Sequence, residues 1–271
     1  MTFERKEIGL GSGPTTYFVG GSGEPLLYLH PASGVAISKP LEALAQTRTV
    51  YMPVTPGFDG TAPHEALQSM EALASFASAF IDAAIGKRCD VIGASFGGWQ
   101  ALWLAVKHAA TIDHLVLEAP AGVPAGGKGG LPADPAALRA KLFAYPERAP
   151  PMTKPLEQIQ GNRRMLDRYR ALSLADAALP TRVAEIKAPT LILMGTKDEI
   201  IPRETGQFLK GAIAGSHLAY IYDAAHVIES DQPERLLRIV ASFLERGEAY
   251  IVNWGASSAS AVPGGVVHAA R

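Results

Sequence analysis

A serine with a glycine two positions to either side, Gly93-Ala94-Ser95-Phe96-Gly97, has the residue types and spacing best suited to covalent chemistry. The preceding Cys89-Asp90-Val91-Ile92 reads as a short apolar strand, and Gly98 to His108 reads as a helix that begins near Phe96. Gly-x-Ser-x-Gly between a strand and a helix is a nucleophile elbow. The turn is so sharp that only residues without a Cβ fit at the two flanking positions. It lifts the Ser95 hydroxyl clear of the sheet. It also aims the Phe96 N–H, at the positive end of the helix, at any oxyanion that forms.

A serine hydroxyl is a weak nucleophile near neutral pH and needs a base that is itself oriented by a carboxylate. An apolar strand, Pro189 to Gly195, runs into Thr196-Lys197-Asp198, and a second, His217 to Tyr222, runs into Asp223-Ala224-Ala225-His226. Taken singly, Asp198 reads as a loop or capping residue and His226 as a loop histidine. Together they follow Ser95 in the order Ser, Asp, His, each at a strand's C-terminal end, where sites of open α/β sheets lie. The set predicts a triad of Ser95, Asp198 and His226. Glu118, at the end of the strand His114–Leu117, is the alternative acid. A second oxyanion donor is expected from the loop after Leu26–Leu29. Pro31 has no N–H, so Ala32 is the expected donor, with Ser33 as the fallback. His30 is expected to brace that loop.

The positioning elements alternate. Strands are expected at 15–19, 26–29, 48–53, 88–92, 114–118, 190–194 and 217–222. Ser69–Ile85 has apolar residues at helical spacing. Such alternation implies a parallel sheet with right-handed crossovers. Composition shifts near Gly122. A Gly- and Pro-rich linker over 122–132 leads to helical segments at Asp134–Tyr145 and Lys154–Leu172. Residues 122–183 are therefore expected to form a helical cap, with 1–121 and 184–246 as the core and 247–271 as a flexible tail. The second cap segment is basic at Arg163, Arg164, Arg168 and Arg170, and a solvated face is the simpler explanation. Arg163, Arg164 and Trp99 are the candidate substrate-binding side chains.

These residues resemble the α/β-hydrolase superfamily. The landmarks are the His30-Pro31 loop, Pro56-Gly57-Phe58, the elbow Gly93–Gly98, Gly195-Thr196-Lys197-Asp198 with Pro202, and His226. They span roughly residues 15 to 246. The resemblance implies a mostly parallel eight-stranded sheet with helices on both faces and a helical cap insertion. Two positions depart from the common pattern: His-Pro replaces His-Gly at His30-Pro31, and Ala94 precedes the nucleophile. Ala184 to Leu191 and the Gly211–His217 stretch are similar to carbon–carbon bond hydrolases of meta-cleavage products. That subgroup carries a cap arginine near Arg163 or Arg164, and a tryptophan where this chain has Val227.

Composition bounds the alternatives. The 271 residues are 48% hydrophobic and 19% charged with a net charge of −1, which suits one α/β domain with an insertion and supplies no basic field for nucleic acid or an anionic membrane. The single Cys89 excludes an internal disulfide and is expected to be buried. The charged N-terminus is no signal peptide, no apolar run reaches membrane-spanning length, and a cytoplasmic location is expected. Neither metal-ligand spacing nor a cofactor motif is present. The glycine clusters at 9–13 and 20–23 read as hairpin turns. The expected activity is hydrolysis of a small or medium, partly apolar carboxylic ester. The alternatives are carbon–carbon hydrolysis of a vinylogous diketo acid and a non-catalytic ligand receptor. A small molecule is the expected partner, and association into a homo-oligomer is left open.

Overall fold

Glu4–Leu10 (β1) and Gly13–Gly21 (β2) form an antiparallel ribbon, and β2 pairs antiparallel with Arg48–Pro53 (β4). Glu24–Leu29 (β3) lies on the far side of β4. From there Cys89–Ala94 (β5), Ile112–Glu118 (β6), Thr190–Gly195 (β7) and Ser216–Ile221 (β8) continue the sheet in parallel. The eight-stranded order is β1-β2-β4-β3-β5-β6-β7-β8. This computed structural model describes residues 2–11, 13–123, 131–132, 134–151, 153–170 and 176–252.

Helices fill the crossovers, Lys39–Leu44 (α1), Met70–Phe80 (α2), Phe96–Lys107 (α3), Pro135–Leu142 (α4), Leu156–Arg170 (α5), Leu179–Arg182 (α6) and Arg203–Ala212 (α7), and three more follow the last strand, Ile228–Asp231 (α8), Pro233–Arg246 (α9) and Glu248–Val252 (α10). The buried stripe of α2 has a local cause. Ser69 caps α2 by accepting from the Ala72 N–H, and Leu73, Ala77 and Phe80 then follow on one buried face. The helix ends through a short π-helical turn at the left-handed Gly86. Central strands β5 and β7 are buried along their whole length, as a sheet covered on both faces requires. Cys89 is buried among them.

The mostly parallel sheet with covering helices is the expected fold class. Three details differ. β1 was not anticipated. The 20–23 cluster is no hairpin, because β4 inserts between β2 and β3. The region after residue 246 is not wholly a tail, because α10 forms and Tyr250 packs edge-on against Phe243 and His217. The expected linker residues 124–130 and the remaining tail, 253–271, lie outside the described residues. No helix among the described residues is long and apolar enough to cross a membrane.

Candidate active site

Ser95 sits between β5 and α3 at φ +52°, ψ −110°, a conformation that costs an L-residue energy and persists only where its surroundings fix it. They do so from both sides. The Ser95 N–H donates to the Glu118 carbonyl at 2.8 Å, and the Ser95 carbonyl accepts from Ala121 and Trp99 at 3.0 and 3.1 Å. The two flanking glycines are sterically required. A Cβ at Gly93 would lie 2.5 Å from the Gly97 oxygen and 2.7 Å from the Ala101 Cβ. A Cβ at Gly97 would collide with the Leu29 carbonyl. The elbow is thus wedged between its own helix and the end of β3.

Two and three strands farther along, the loops after β7 and β8 bring in the other two groups. His226 Nε2 lies 2.9 Å from Ser95 Oγ, and His226 Nδ1 lies 2.9 Å from Asp198 Oδ2. The Asp198 side chain is 1% exposed and that of His226 is 7% exposed, so the pair is screened from water on nearly every side. Asp198 Oδ1 accepts from the Ile200 and Ile201 N–H groups at 2.8 and 2.9 Å. Three donors therefore hold one carboxylate. With Asp198 accepting at Nδ1–H, the imidazole presents its Nε2 lone pair to the serine hydroxyl.

The loop after β3 is braced by His30, which is buried. Its Nδ1–H donates to the Pro31 carbonyl at 2.8 Å, and its Nε2 accepts from the Thr55 N–H at 3.0 Å. Burial holds the imidazole below its usual range, which keeps it neutral in this role. The Gly34 N–H closes a turn onto the Pro31 carbonyl at 2.9 Å, with Ala32 and Ser33 at its centre. Among the described residues no turn, loop or side-chain hydrogen bond draws on the Ala32 N–H. Phe96, the first residue of α3, has an N–H that the helix leaves without an internal partner.

Glu118 takes a different position from the one its order in the chain suggested. It is buried at the end of β6, where burial and the charge of Glu229 raise its carboxyl well above the usual range. Glu229 in turn accepts from the Tyr28 hydroxyl at 2.7 Å. It is Asp198 that meets His226.

The substrate-binding candidates are not drawn together. Trp99 is buried, and its indole N–H donates to Asp176 at 3.1 Å, beside Trp103 at 2.8 Å. Those contacts give it a packing role. Helix α5 buries Asn162, Met165 and Leu166, whereas Arg164 is exposed and Arg163 pairs along the helix with Asp167 at 3.5 Å. Arg168 reaches Gln68 at 3.2 Å. The side chain of Arg170 lies outside the described residues. An aromatic pile replaces charge on this side: His30 against Phe58, Phe58 against Phe96, and Phe96 against Tyr169 of α5, with ring centres 5.2, 5.2 and 5.8 Å apart.

Sequence reasoning passed over Asp231, whose Asp-Gln-Pro setting resembles a simple helix start. Its carboxylate accepts from the Ala225 N–H at 2.8 Å and the Ala144 N–H at 2.9 Å. The Val227 N–H donates to the Leu142 carbonyl at 2.9 Å. The end of α4 is thereby fastened to both neighbours of His226. Among the described residues no group of three or more His, Cys, Asp or Glu is placed to hold a metal ion.

A strained serine after the fifth strand, a histidine after the eighth and an aspartate after the seventh form one hydrogen-bonded line. The sequence model of the alpha/beta hydrolase family matches residues 18–239. The chain belongs to the alpha/beta hydrolase family. Among its relatives in that family, the 2-hydroxy-6-oxo-2,4-heptadienoate hydrolase of Pseudomonas putida is 26% identical over 257 residues, covering 83% of this chain and 90% of that protein. The 2-hydroxymuconate semialdehyde hydrolase of Pseudomonas sp. (strain CF600) is 26% identical over 270 residues, covering 86% and 91%. Among solved alpha/beta hydrolase structures, the meta-cleavage product hydrolase from Pseudomonas fluorescens IP01 superposes with a TM-score of 0.76 at 20% identity, over 89% of this chain and 97% of that one. A bacterial membrane phospholipase A gives 0.76 at 22% identity, over 90% and 86%. The shared fold therefore carries more than one chemistry.

Proposed function

We propose that this alpha/beta hydrolase is a serine hydrolase that cleaves a small or medium, partly apolar carboxylic ester. The carrying observation is the unbroken line from Ser95 Oγ through His226 to Asp198, with 2.9 Å at each junction. His226 Nε2 takes the Ser95 proton as Oγ attacks the carbonyl, and Asp198 stabilises the imidazolium that results. The Phe96 and Ala32 N–H groups receive the oxyanion. His226 then protonates the departing alkoxide, and water activated by the same imidazole releases the acid from Ser95. Residues 122–183 act as a cap, and the pile of Phe58, Phe96 and Tyr169 suits an apolar acyl or aryl group. A cytoplasmic location accompanies this proposal.

The test is labelling with a fluorophosphonate, with mass spectrometry to locate the adduct. An adduct on Ser95 that nearly vanishes in His226→Ala supports the reading. No adduct on folded protein would sink it and bring forward the non-catalytic ligand receptor.

Carbon–carbon hydrolysis of a vinylogous diketo acid is the second reading, favoured by the relatives described above. Against it stand Val227, the exposure of Arg164 and the pairing of Arg163 with Asp167. The two readings separate on an aryl ester compared with a vinylogous diketo acid. Arg164→Ala is expected to leave both substrates unaffected. A selective loss on the acidic substrate would restore the cap arginine and favour the second reading.

A further inference from the structure

Gln158 and Asn162 lie one turn apart on one face of α5, and Lys154 stands in the two residues that lead into that helix. All three end on a single carboxylate. Asp59 Oδ1 accepts from Lys154 Nζ at 2.6 Å, Gln158 Nε2 at 3.1 Å and Asn162 Nδ2 at 2.9 Å. Asp59 Oδ2 accepts from the Val35 N–H at 2.7 Å, and the Asp59 N–H donates to Asn162 Oδ1 at 2.7 Å. Lys154 and Asn162 also donate to the Ser33 carbonyl at 2.8 and 2.9 Å. Asp59 itself holds a left-handed φ of +51°.

We propose that Asp59 is a positioning residue: with Lys154, Gln158 and Asn162 it latches cap helix α5 onto the turn that carries Ala32, so that this turn takes its oxyanion-binding shape only when α5 is docked. The proposal rests on the serine-hydrolase reading for its consequence, though not for its contacts.

The turn Pro31–Gly34 is gripped on two sides. On the core side, His30 and the Gly34 N–H hold the Pro31 carbonyl. On the cap side, Lys154 and Asn162 hold the Ser33 carbonyl, and Asp59 holds Val35. Ala32 lies between the two grips. Apolar contacts already seat α5: Met165 lies over Gly57 so closely that a Cβ there would come within 2.5 Å of the Met165 methyl, and Tyr169 stacks on Phe96. Such contacts set how near the helix comes but not how a peptide unit is rotated, because they are non-directional. The hydrogen bonds to Ser33 and Val35 are directional and fix that rotation. The charge is also held in place. Burial pushes the Asp59 carboxyl up, but hydrogen bonds from Asn162 and Lys154 outweigh it and keep the group below the usual carboxylate range. Gly34 has no room for a side chain, since a Cβ would collide with the Asp59 carboxylate and the Lys154 amine.

The test compares Asp59→Asn, Asn162→Ala and their double variant with wild type, and uses Asp167→Asn as a control on the exposed side of α5. Three quantities are read: kcat and KM on p-nitrophenyl acetate, Ki of an aryl trifluoromethyl ketone, and amide hydrogen exchange across the segment 31–36, whose exchanging amides are those of 32–36. The ketone adds to the serine and places its oxyanion where that of the ester forms. Each single variant is expected to lower kcat by about 10- to 100-fold with KM little changed, as a displaced oxyanion donor would. Ki is expected to rise by the same factor. Exchange over 31–36 is expected to rise at least about tenfold, and the double variant to add little, because its members act as one unit. If kcat and Ki hold in folded Asp59→Asn while only the melting temperature falls, Asp59 is a structural staple and the proposal fails. If Asn162→Ala leaves exchange over 31–36 unchanged, it fails as well. Should Asp59→Asn not fold, the milder Gln158→Ala carries the same readouts. A wild-type protein that neither cleaves the ester nor takes a fluorophosphonate would refute the hydrolase reading alone, and the exchange measurement would still decide the latch.

Discussion

Replacing Gly97 by alanine puts a methyl group where the end of β3 already sits. The new Cβ would overlap the Leu29 carbonyl and lie 2.7 Å from the His30 oxygen. An ordinary carbon-to-oxygen contact needs about 3.3 Å. The His30 oxygen must therefore retreat by about half an ångström, and the Leu29 carbonyl by more. Both groups are backbone, so no side chain can swing aside. They lead directly into the turn that carries Ala32, so the Ala32 N–H moves relative to Ser95 by on the order of 1 Å. A misplacement of that size costs on the order of 10²-fold in rate. The overpacking costs about 1–3 kcal/mol of stability, which a domain of this size survives. The assay is kcat on an aryl ester, with a thermal melt run beside it. Gly98→Ala is the comparison, because its Cβ meets Pro120 at 2.7 Å and not the turn of Ala32. It is expected to lose stability with a smaller effect on kcat. A folded Gly97→Ala enzyme that keeps kcat within about threefold of wild type would refute the placement of the oxyanion loop against the elbow.

Three further outcomes follow from the geometry. Asp198→Asn keeps a carbonyl for the Ile200 and Ile201 amides but favours the wrong imidazole tautomer, so kcat on an aryl ester should fall on the order of 10⁴-fold; a loss below tenfold would mean that another acid serves His226. Glu118 has its carboxyl raised from the ordinary 4.5 by burial and by Glu229, so folded protein prefers the protonated form and stability falls as pH rises above that value. Glu118→Gln should melt above wild type at pH 8, with the gap closing toward pH 4; a gap independent of pH would count against the carboxyl pair. Asp176→Ala strands the indole N–H groups of Trp99 and Trp103 in a buried site at about 1–3 kcal/mol each, to be read by urea unfolding, and a loss under about 1 kcal/mol would contradict the pairing.

The residues of the serine line were legible because each stands at the end of an apolar strand, where local pattern and chain order suffice to place it. Pattern fails where tertiary contacts decide. β1 has charged residues at Glu4, Arg5, Lys6 and Glu7, all exposed on an edge strand, so no alternation marks it. The turn at 20–23 is built of the same residue types as a hairpin, and only the insertion of β4 makes it a crossover. Arg163 and Arg164 drew notice by charge, yet the face of α5 that meets the core is set by Asn162, Met165 and Leu166. Asp59 was hidden in an Asp-Gly turn. Its partners are Lys154, just before α5, and Gln158 and Asn162 on one face of it, polar residues whose meaning needs the fold.

The fastening of α4 to the loop of His226 bears on how such enzymes change substrate. On the proposed function, residues 122–183 are the cap, and such a segment is an attractive unit for exchange because it leaves Ser95, Asp198 and His226 behind. Here that exchange is not free. The Leu142 carbonyl and the Ala144 N–H bond to Val227 and Asp231, so they serve as part of the socket for the histidine. A graft that swaps residues 134–170 as a block takes part of that socket away. New specificities are more cheaply explored in the stretch after Tyr145, with 142–144 retained as the seam along which old and new sequence are joined.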